Sequence, residues 1–302
     1  MNNFTIKDIE NLTGIKSHTL RIWEQRYGIP HPKRTATNIR YYDDEDLKLL
    51  LNVSMLNRHG HKISHLTSMS KEELQSLALS LSAENTDTGI QLESMLAAMF
   101  NLDEAAFDRI LTSNLLKYGL ENTMLNLFFP FLKRIGVLWQ TGQVNPSFEH
   151  FMSNMIRQKV IVAIDAMPFV KKEGTKKFVL FLPENETHEL GLLFANYIIR
   201  SRGHQTLYLG QNLPFTDIDA VVGQYQCDYI MSVITLSPEK LTPQNFINKM
   251  SGRFANQTIL LTGTQLTGNP SLTTPQNVRI IQDFGDFISL IDHLPAQPAI
   301  TR

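Results

Sequence analysis

The chain has 302 residues, about twice the ~150 usual for one domain, so two or three domains are expected. Its 28 Lys and Arg against 29 Asp and Glu give a net charge of −1, which excludes a uniformly polybasic nucleic-acid binder but not a local basic patch. With 42% apolar and 19% charged residues the composition is globular, and the single cysteine, Cys227, excludes a disulfide framework, a four-thiolate zinc site and a CxxC pair.

No stretch approaches the ~18 apolar residues of a membrane helix. The opening MNNFTIKDIE lacks the basic and apolar regions of a signal peptide, so a cytoplasmic location with no membrane partner is expected. Three segments follow: 1–76, short helices around a basic turn-rich stretch; 80–170, helical; and 175–302, β-rich runs alternating with helical ones. Polar stretches at Ser80–Gly89 and Val170–Lys177 read as linkers.

Thr5-Ile6-Lys7-Asp8 is a capping-box start, followed by Ile6, Ile9 and Leu12 on one face of a short helix. Gly14 can take the positive φ of a tight turn. Ser17 is expected to cap a second helix with Leu20, Trp23 and Tyr27 on one face. Its other face carries His18, Thr19, Arg21, Gln25 and Arg26. Two short helices joined by a tight turn form the helix-turn-helix pattern. Lys33 to Tyr42 suits a hairpin or wing with Asn38 near its turn. Across residues 14–42, Lys16, Arg21, Arg26, Lys33, Arg34 and Arg40 oppose only Glu24, a net charge of +5 suited to phosphate contact.

Phe4-Thr5-Ile6, Leu12-Thr13-Gly14, His18 through Gly28, Arg40-Tyr41-Tyr42 and Asp46-Leu47 together resemble the winged DNA-binding domain of MerR-type transcription regulators. The resemblance covers most of residues 3–70. It implies that the Ser17–Tyr27 helix enters the major groove and that Lys33, Arg34, Arg40, Tyr41 and Tyr42 grip the backbone. It also implies a dimer on inverted-repeat operator DNA. Thiolate metal sensing, found in some members, is disfavoured by the lone and distant Cys227.

In the middle segment four helices are expected, at roughly 88–100, 103–117, 120–141 and 146–166, forming a four-helix bundle. Met95, Met99, Leu111, Leu115, Leu125, Phe128, Phe129, Leu132 and Ile135 are its core. Asn145-Pro146 makes a good cap and first helical position, placing Glu149 and His150 in the opening turns of the fourth helix. Trp139 ends the third helix, so the three can face a common space.

The last segment reads as strands at 177–182, 205–209, 228–234 and 257–261 with helices between them, which implies a parallel doubly wound sheet. Ligands in such folds sit beyond the carboxyl ends of the strands, where His188, Ser232 to Thr235 and Thr262-Gly263-Thr264 fall. Glu186-x-His188-x-x-Gly191, then Ser232-x-Ile234 and Gly263 at matching separations, resemble the flavodoxin-like cobalamin-binding domain of B12-dependent proteins. By that resemblance His188 is the lower axial ligand to cobalt and Glu186 its tautomer-fixing partner. Gly191, Ser232, Thr235 and Gly263 would line the place of the nucleotide tail, the glycines leaving room where a Cβ would clash. Glu186 replaces the usual Asp, and Thr264 the second glycine of a pair.

Trp139, nine intervening residues, then Glu149-His150 resembles the helical cap of B12-dependent, light-sensing MerR-type repressors of the CarH class. Trp139, Glu149 and His150 would then meet the adenosyl group of adenosylcobalamin. Gln140 stands where that class carries a histidine able to bind cobalt after photolysis. The expectation is a non-enzymatic, oligomeric (dimer or tetramer) photoreceptor repressor. Two alternatives are a MerR-type regulator whose sheet domain has lost cobalamin and serves as an interaction module, and a corrinoid methyltransferase or carrier.

Overall fold

The computed structural model describes residues 3–84, 87–140, 144–168, 174–236 and 242–295. The chain divides into two compact units, 1–156 and 157–302. Residues 170–173 of the expected second linker lie outside the described residues, as does residue 141 at the end of the expected third helix.

In the first unit α1 (Ile6–Thr13) begins with the expected capping box, the Thr5 side chain accepting from Asp8 N while Asp8 accepts from Thr5 N. Gly14 ends it at φ 73°. The second helix, α2 (Ser17–Tyr27), is not capped by Ser17: its N-cap is Lys16, and the Ser17 hydroxyl donates to Glu10 at 2.6 Å. The strands β1 (Lys33–Arg34) and β2 (Arg40–Tyr41) pair antiparallel, with Asn38 at φ 64° in their turn. A capping box of Asp43 and Asp46 starts α3 (Asp44–Arg58). Leu47, Leu50, Leu51, Val53, Met55 and Leu56 of α3 are all buried, too many for one amphipathic stripe.

That burial is explained by two sets of neighbours. α3 packs on α1 on one side and on α5 (Lys71–Glu84) and α6 (Thr88–Asn101) on the other, with α4 (Ile63–Leu66) at its end. The α5 helix runs to Glu84, into the stretch read as a linker. The bundle continues with α7 (Glu104–Thr123), broken at Gly119 (φ 74°, ψ 169°), where the sequence separates its second and third helices. A π-helical turn (Met124–Phe128) leads into α8 (Phe129–Gln140). Phe129 N closes this turn by bonding to Met124 O, and Pro130, which has no N–H to donate, comes next. Last, α9 (Pro146–Asp165) starts at the expected Pro146, with Asn145 Oδ1 accepting from Ser147 N at 2.9 Å.

The second unit holds β3 (Lys177–Pro183), β4 (Gln205–Leu213), β5 (Tyr229–Val233), β6 (Thr258–Thr262) and β7 (Val278–Ile280). All pair parallel, in the order β4-β3-β5-β6-β7. The helices α10 (Leu190–Ser201), α11 (Phe215–Tyr225), α12 (Pro243–Arg253) and α13 (Phe284–Asp292) complete a doubly wound, flavodoxin-like fold. Phe178 to Leu182 of β3, an interior strand, are fully buried. β7 and α13 are absent from the sequence reading; at three residues, Val278-Arg279-Ile280 is too short for its alternation to mark a strand.

Candidate functional site

The strand order reverses at β3, whose neighbours are β4 and β5, so the fold opens a crevice at their carboxyl ends. Glu186 spans it. Its side chain is 2% exposed. Oε1 accepts from the Thr187 and His188 backbone N–H groups (3.0 Å each) and from His188 Nδ1 at 2.6 Å. Oε2 accepts from Thr235 N (2.6 Å) and Leu236 N (2.9 Å), beyond β5. Burial opposes ionisation, but hydrogen bonds from the His188 ring and the Leu236, His188 and Thr235 amides outweigh it and hold the carboxyl at about 2. A carboxylate accepting from Nδ1 fixes the tautomer in which Nε2 carries the lone pair, the form that ligates a metal. The His188 side chain is half exposed, on a loop pinned through the buried Glu186.

The neighbouring loops lock onto the same point. Thr235 O accepts from Thr264 Oγ1 (3.0 Å) and Gln265 Nε2 (3.3 Å), and Ile234 N donates to Thr262 O at 2.8 Å. Ser232 is fully buried, and its hydroxyl has no hydrogen-bond partner among the described residues. An orphaned hydroxyl at a strand end is costly unless a ligand satisfies it. The two glycines differ. A Cβ at Gly263, with φ 115°, would lie 2.2 Å from Ile234 O, so the chain's own backbone requires that glycine and no ligand need be invoked. A Cβ at Gly191 would meet only Phe284 Cζ at 3.8 Å, an ordinary contact. Thr264, the departure from a glycine pair, turns its hydroxyl to the Thr235 carbonyl.

A second buried network adjoins His188 and is not evident from the sequence. Glu189 accepts from Tyr208 Oη (2.8 Å) and from Arg157 Nε (2.7 Å). Burial, then the Glu189 charge, pushes the Tyr208 hydroxyl well above its ordinary range. Cys227 is buried, which pushes its thiol up to about 11 and leaves it unsuited to thiolate chemistry.

In the first unit Trp139 lies at the end of α8 and is 52% exposed. Glu149 and His150 open α9 and pair at 3.2 Å, with His150 largely exposed. Gln140 closes α8, and residues 141–143 between the two helices lie outside the described residues.

The basic patch is only partly open. Lys16 pairs with Glu10 (3.1 Å), Lys33 with Asp43, and Arg40 with Glu24 (3.0 Å), while Arg34 donates to Asn38 (2.8 Å). Arg21 and Arg26 are exposed and make no ion pair among the described residues. His18 shares their exposed side of α2, and Thr19 is partly covered. Ile22, 45% exposed on the same face as His18, Arg21 and Gln25, escapes a reading that looks only for polar residues. Tyr41 is half-buried on β2. Tyr42 corrects the expectation of a backbone grip: it is 1% exposed, because its backbone bridges to Phe4 and its ring joins the core.

Residues 4–73 match the MerR HTH family regulatory protein family, and residues 91–163 match the B12 binding domain family. Among curated proteins the chain is homologous to the HTH-type transcriptional repressor CarH of Myxococcus xanthus, 26% identical over 233 residues, covering 75% of this chain and 77% of the relative. It is also homologous to the repressor CarA of the same organism, 25% identical over 227 residues and covering 74% of each. The monomethylamine corrinoid protein of Methanosarcina barkeri shares the fold: TM-score 0.54 at 10% identity, over 68% of this chain and 98% of that one. The chain therefore joins a MerR-type DNA-binding helix-turn-helix to a B12-binding domain, the make-up of a transcriptional regulator.

Proposed function

We propose that this chain is a cytoplasmic, non-enzymatic transcriptional repressor that senses adenosylcobalamin and, through it, light. The observation that carries the reading is the Glu186–His188 pair: an imidazole held in its ligating tautomer at the switch point of a doubly wound sheet. The same chain carries a helix-turn-helix with open arginines, and its homologues are named repressors.

The residues present fit a cobalamin. His188 would ligate the cobalt through Nε2, with Glu186 fixing the ring. Gly191, early in α10, leaves a Cβ position that only Phe284 Cζ approaches, and Ser232 offers a buried hydroxyl without a partner among the described residues, so both suit the nucleotide tail, with Thr235 and Gly263 shaping the loops around it. Trp139, an indole half exposed at the end of α8, would pack on the adenosyl group, and Glu149 with His150 would meet its polar edge. When bound, adenosylcobalamin supplies a cobalt–carbon bond that green light cleaves.

The chain's own residues then set the outcome. With the adenosyl group present, Trp139, Glu149 and His150 are engaged and the oligomer, dimer or tetramer, presents several winged domains to an inverted repeat; multivalency multiplies their individual affinities. With it gone, those contacts are lost and the population shifts away from the DNA-competent assembly. Gln140 has no imidazole with which to lock that second state. The test is binding of the full chain to duplex DNA selected from a random library, with and without adenosylcobalamin, in the dark and after green light. The reading predicts tight binding only in the dark with cofactor. Affinity indifferent to both cofactor and light would end it.

A further inference from the structure

Two arginines from distant parts of the first unit converge on the end of α1, where the chain turns into α2. The last carbonyls of a helix have no partner within it and carry the negative end of its dipole. Leu12 O accepts from Arg134 Nη2 at 2.9 Å, across 122 positions of sequence. Thr13 O accepts from Ser54 Oγ at 2.7 Å and from Arg58 Nη2. Arg58 Nη1 in turn pairs with Glu93 Oε1 at 2.5 Å. Glu93 is 6% exposed; burial raises its carboxyl, and the charges of Arg58 and Arg134 pull it back. Gly14 lies against this cluster, since a Cβ there would be 3.3 Å from Arg58 Nη2.

Arg58 belongs to α3, but Glu93 is on α6 and Arg134 on α8, so α8 holds the end of α1 directly and α6 holds it through Arg58. Capping alone does not call for this. Water or a nearby side chain satisfies most helix ends, and burying a guanidinium carries a desolvation cost that an apolar residue would avoid. Arg134 also lies five residues before Trp139 on the same helix, about one and a half turns. A displacement of α8 at its Trp139 end would reach the Leu12 carbonyl through the helix and a charge-assisted hydrogen bond.

We infer that Arg134 is a positioning residue that ties the Trp139 helix to the end of α1, where the chain turns into the DNA-reading helix, with Glu93 and Arg58 bracing that turn. The coupling part rests on the proposed function; the hold on the turn does not. Arg134→Met keeps the length of the side chain and removes its donors, whereas Arg134→Lys keeps one charged donor.

The experiment uses the full chain, the selected duplex and adenosylcobalamin. A merely structural role would lower DNA affinity equally with and without cofactor. A positioning role brings the ratio of the two affinities to within about twofold of one in Arg134→Met, leaves cobalamin uptake unchanged, and is largely restored in Arg134→Lys. Without any cobalamin, amide hydrogen exchange across residues 14–20 rises at least tenfold in Arg134→Met. Glu93→Gln, which removes the charge between the two guanidinium groups, gives the same direction of change should Arg134→Met fail to fold. A wild-type affinity ratio in Arg134→Met, or unchanged exchange at the turn, overturns the inference. A wild-type chain with no cofactor response ends the proposed function, and the exchange measurement still decides the hold on the turn.

Discussion

Glu186 and His188 form a closed unit in which one oxygen, Oε1, accepts both the ring Nδ1–H (2.6 Å) and the backbone N–H (3.0 Å) of His188. The other oxygen is committed to the amides of Thr235 and Leu236, so the imidazole is oriented by the β5 loop as well as by its own.

This arrangement makes the second unit acid-sensitive in a definite window. The Glu186 carboxyl titrates near 4.5 when unfolded and at about 2 when folded, so its contribution is complete above 4.5 and lost as pH falls towards 2. Urea unfolding followed between pH 5 and pH 2 is expected to lose up to about 3 kcal/mol from this group. Glu186→Gln is expected to be less stable at pH 7 and to lack that part of the slope.

The two glycines separate ligand space from backbone necessity. Gly263→Ala is expected to destabilise the second unit by about 3 kcal/mol or more, through a Cβ against Ile234 O and a positive φ. Gly191→Ala, early in α10 and meeting only Phe284, is expected to be neutral or to gain about 0.5 kcal/mol in thermal unfolding. It should nonetheless weaken cobalamin binding. A destabilised Gly191→Ala with normal cobalamin uptake would contradict the assignment of that space.

On DNA, the arginines are not equivalent. Arg21→Ala and Arg26→Ala remove open cations and are expected to weaken binding by about 1–3 kcal/mol each, with a shallower dependence on salt for any that meets phosphate. Arg40→Ala should cost less, since Arg40 is spent on Glu24. Fluorescence anisotropy across a salt series measures both quantities.

Tyr208→Phe removes one of the donors to buried Glu189 and leaves Arg157 as the other. A loss of about 1–3 kcal/mol in chemical unfolding of the second unit is expected, and Glu189→Gln in the same background should recover part of it.

Much of this was legible in the sequence because the signals were local. Thr5 with Asp8, Asn145 with Pro146, the turn at Asn38 and the break at Gly119 each act within a few residues. The strand runs of the last segment are apolar enough to mark the sheet, and strand-end logic puts His188, Ser232 and Gly263 at one edge. What escaped depends on partners far apart in the chain. Tyr42 is buried because Phe4 bridges to it, Ser17 is drawn to Glu10 rather than to its own helix, and Tyr208 reaches Glu189 from the adjacent strand. Arg58 and Arg134 bind backbone carbonyls, which leave no mark in residue type. Gly263 shows a related limit of residue type: a glycine in sequence does not say whether backbone or ligand needs its space, and here the Ile234 backbone alone requires it.

The most direct measurement is the absorption spectrum of the chain mixed with adenosylcobalamin in the dark and freed of unbound ligand, before and after green light, beside His188→Ala. The account predicts a bound, coloured species in the wild type that changes on illumination, and a variant that loses it or holds the cofactor with a different lower ligand. A wild-type chain that emerges colourless, or a His188→Ala spectrum identical to wild type, would contradict it.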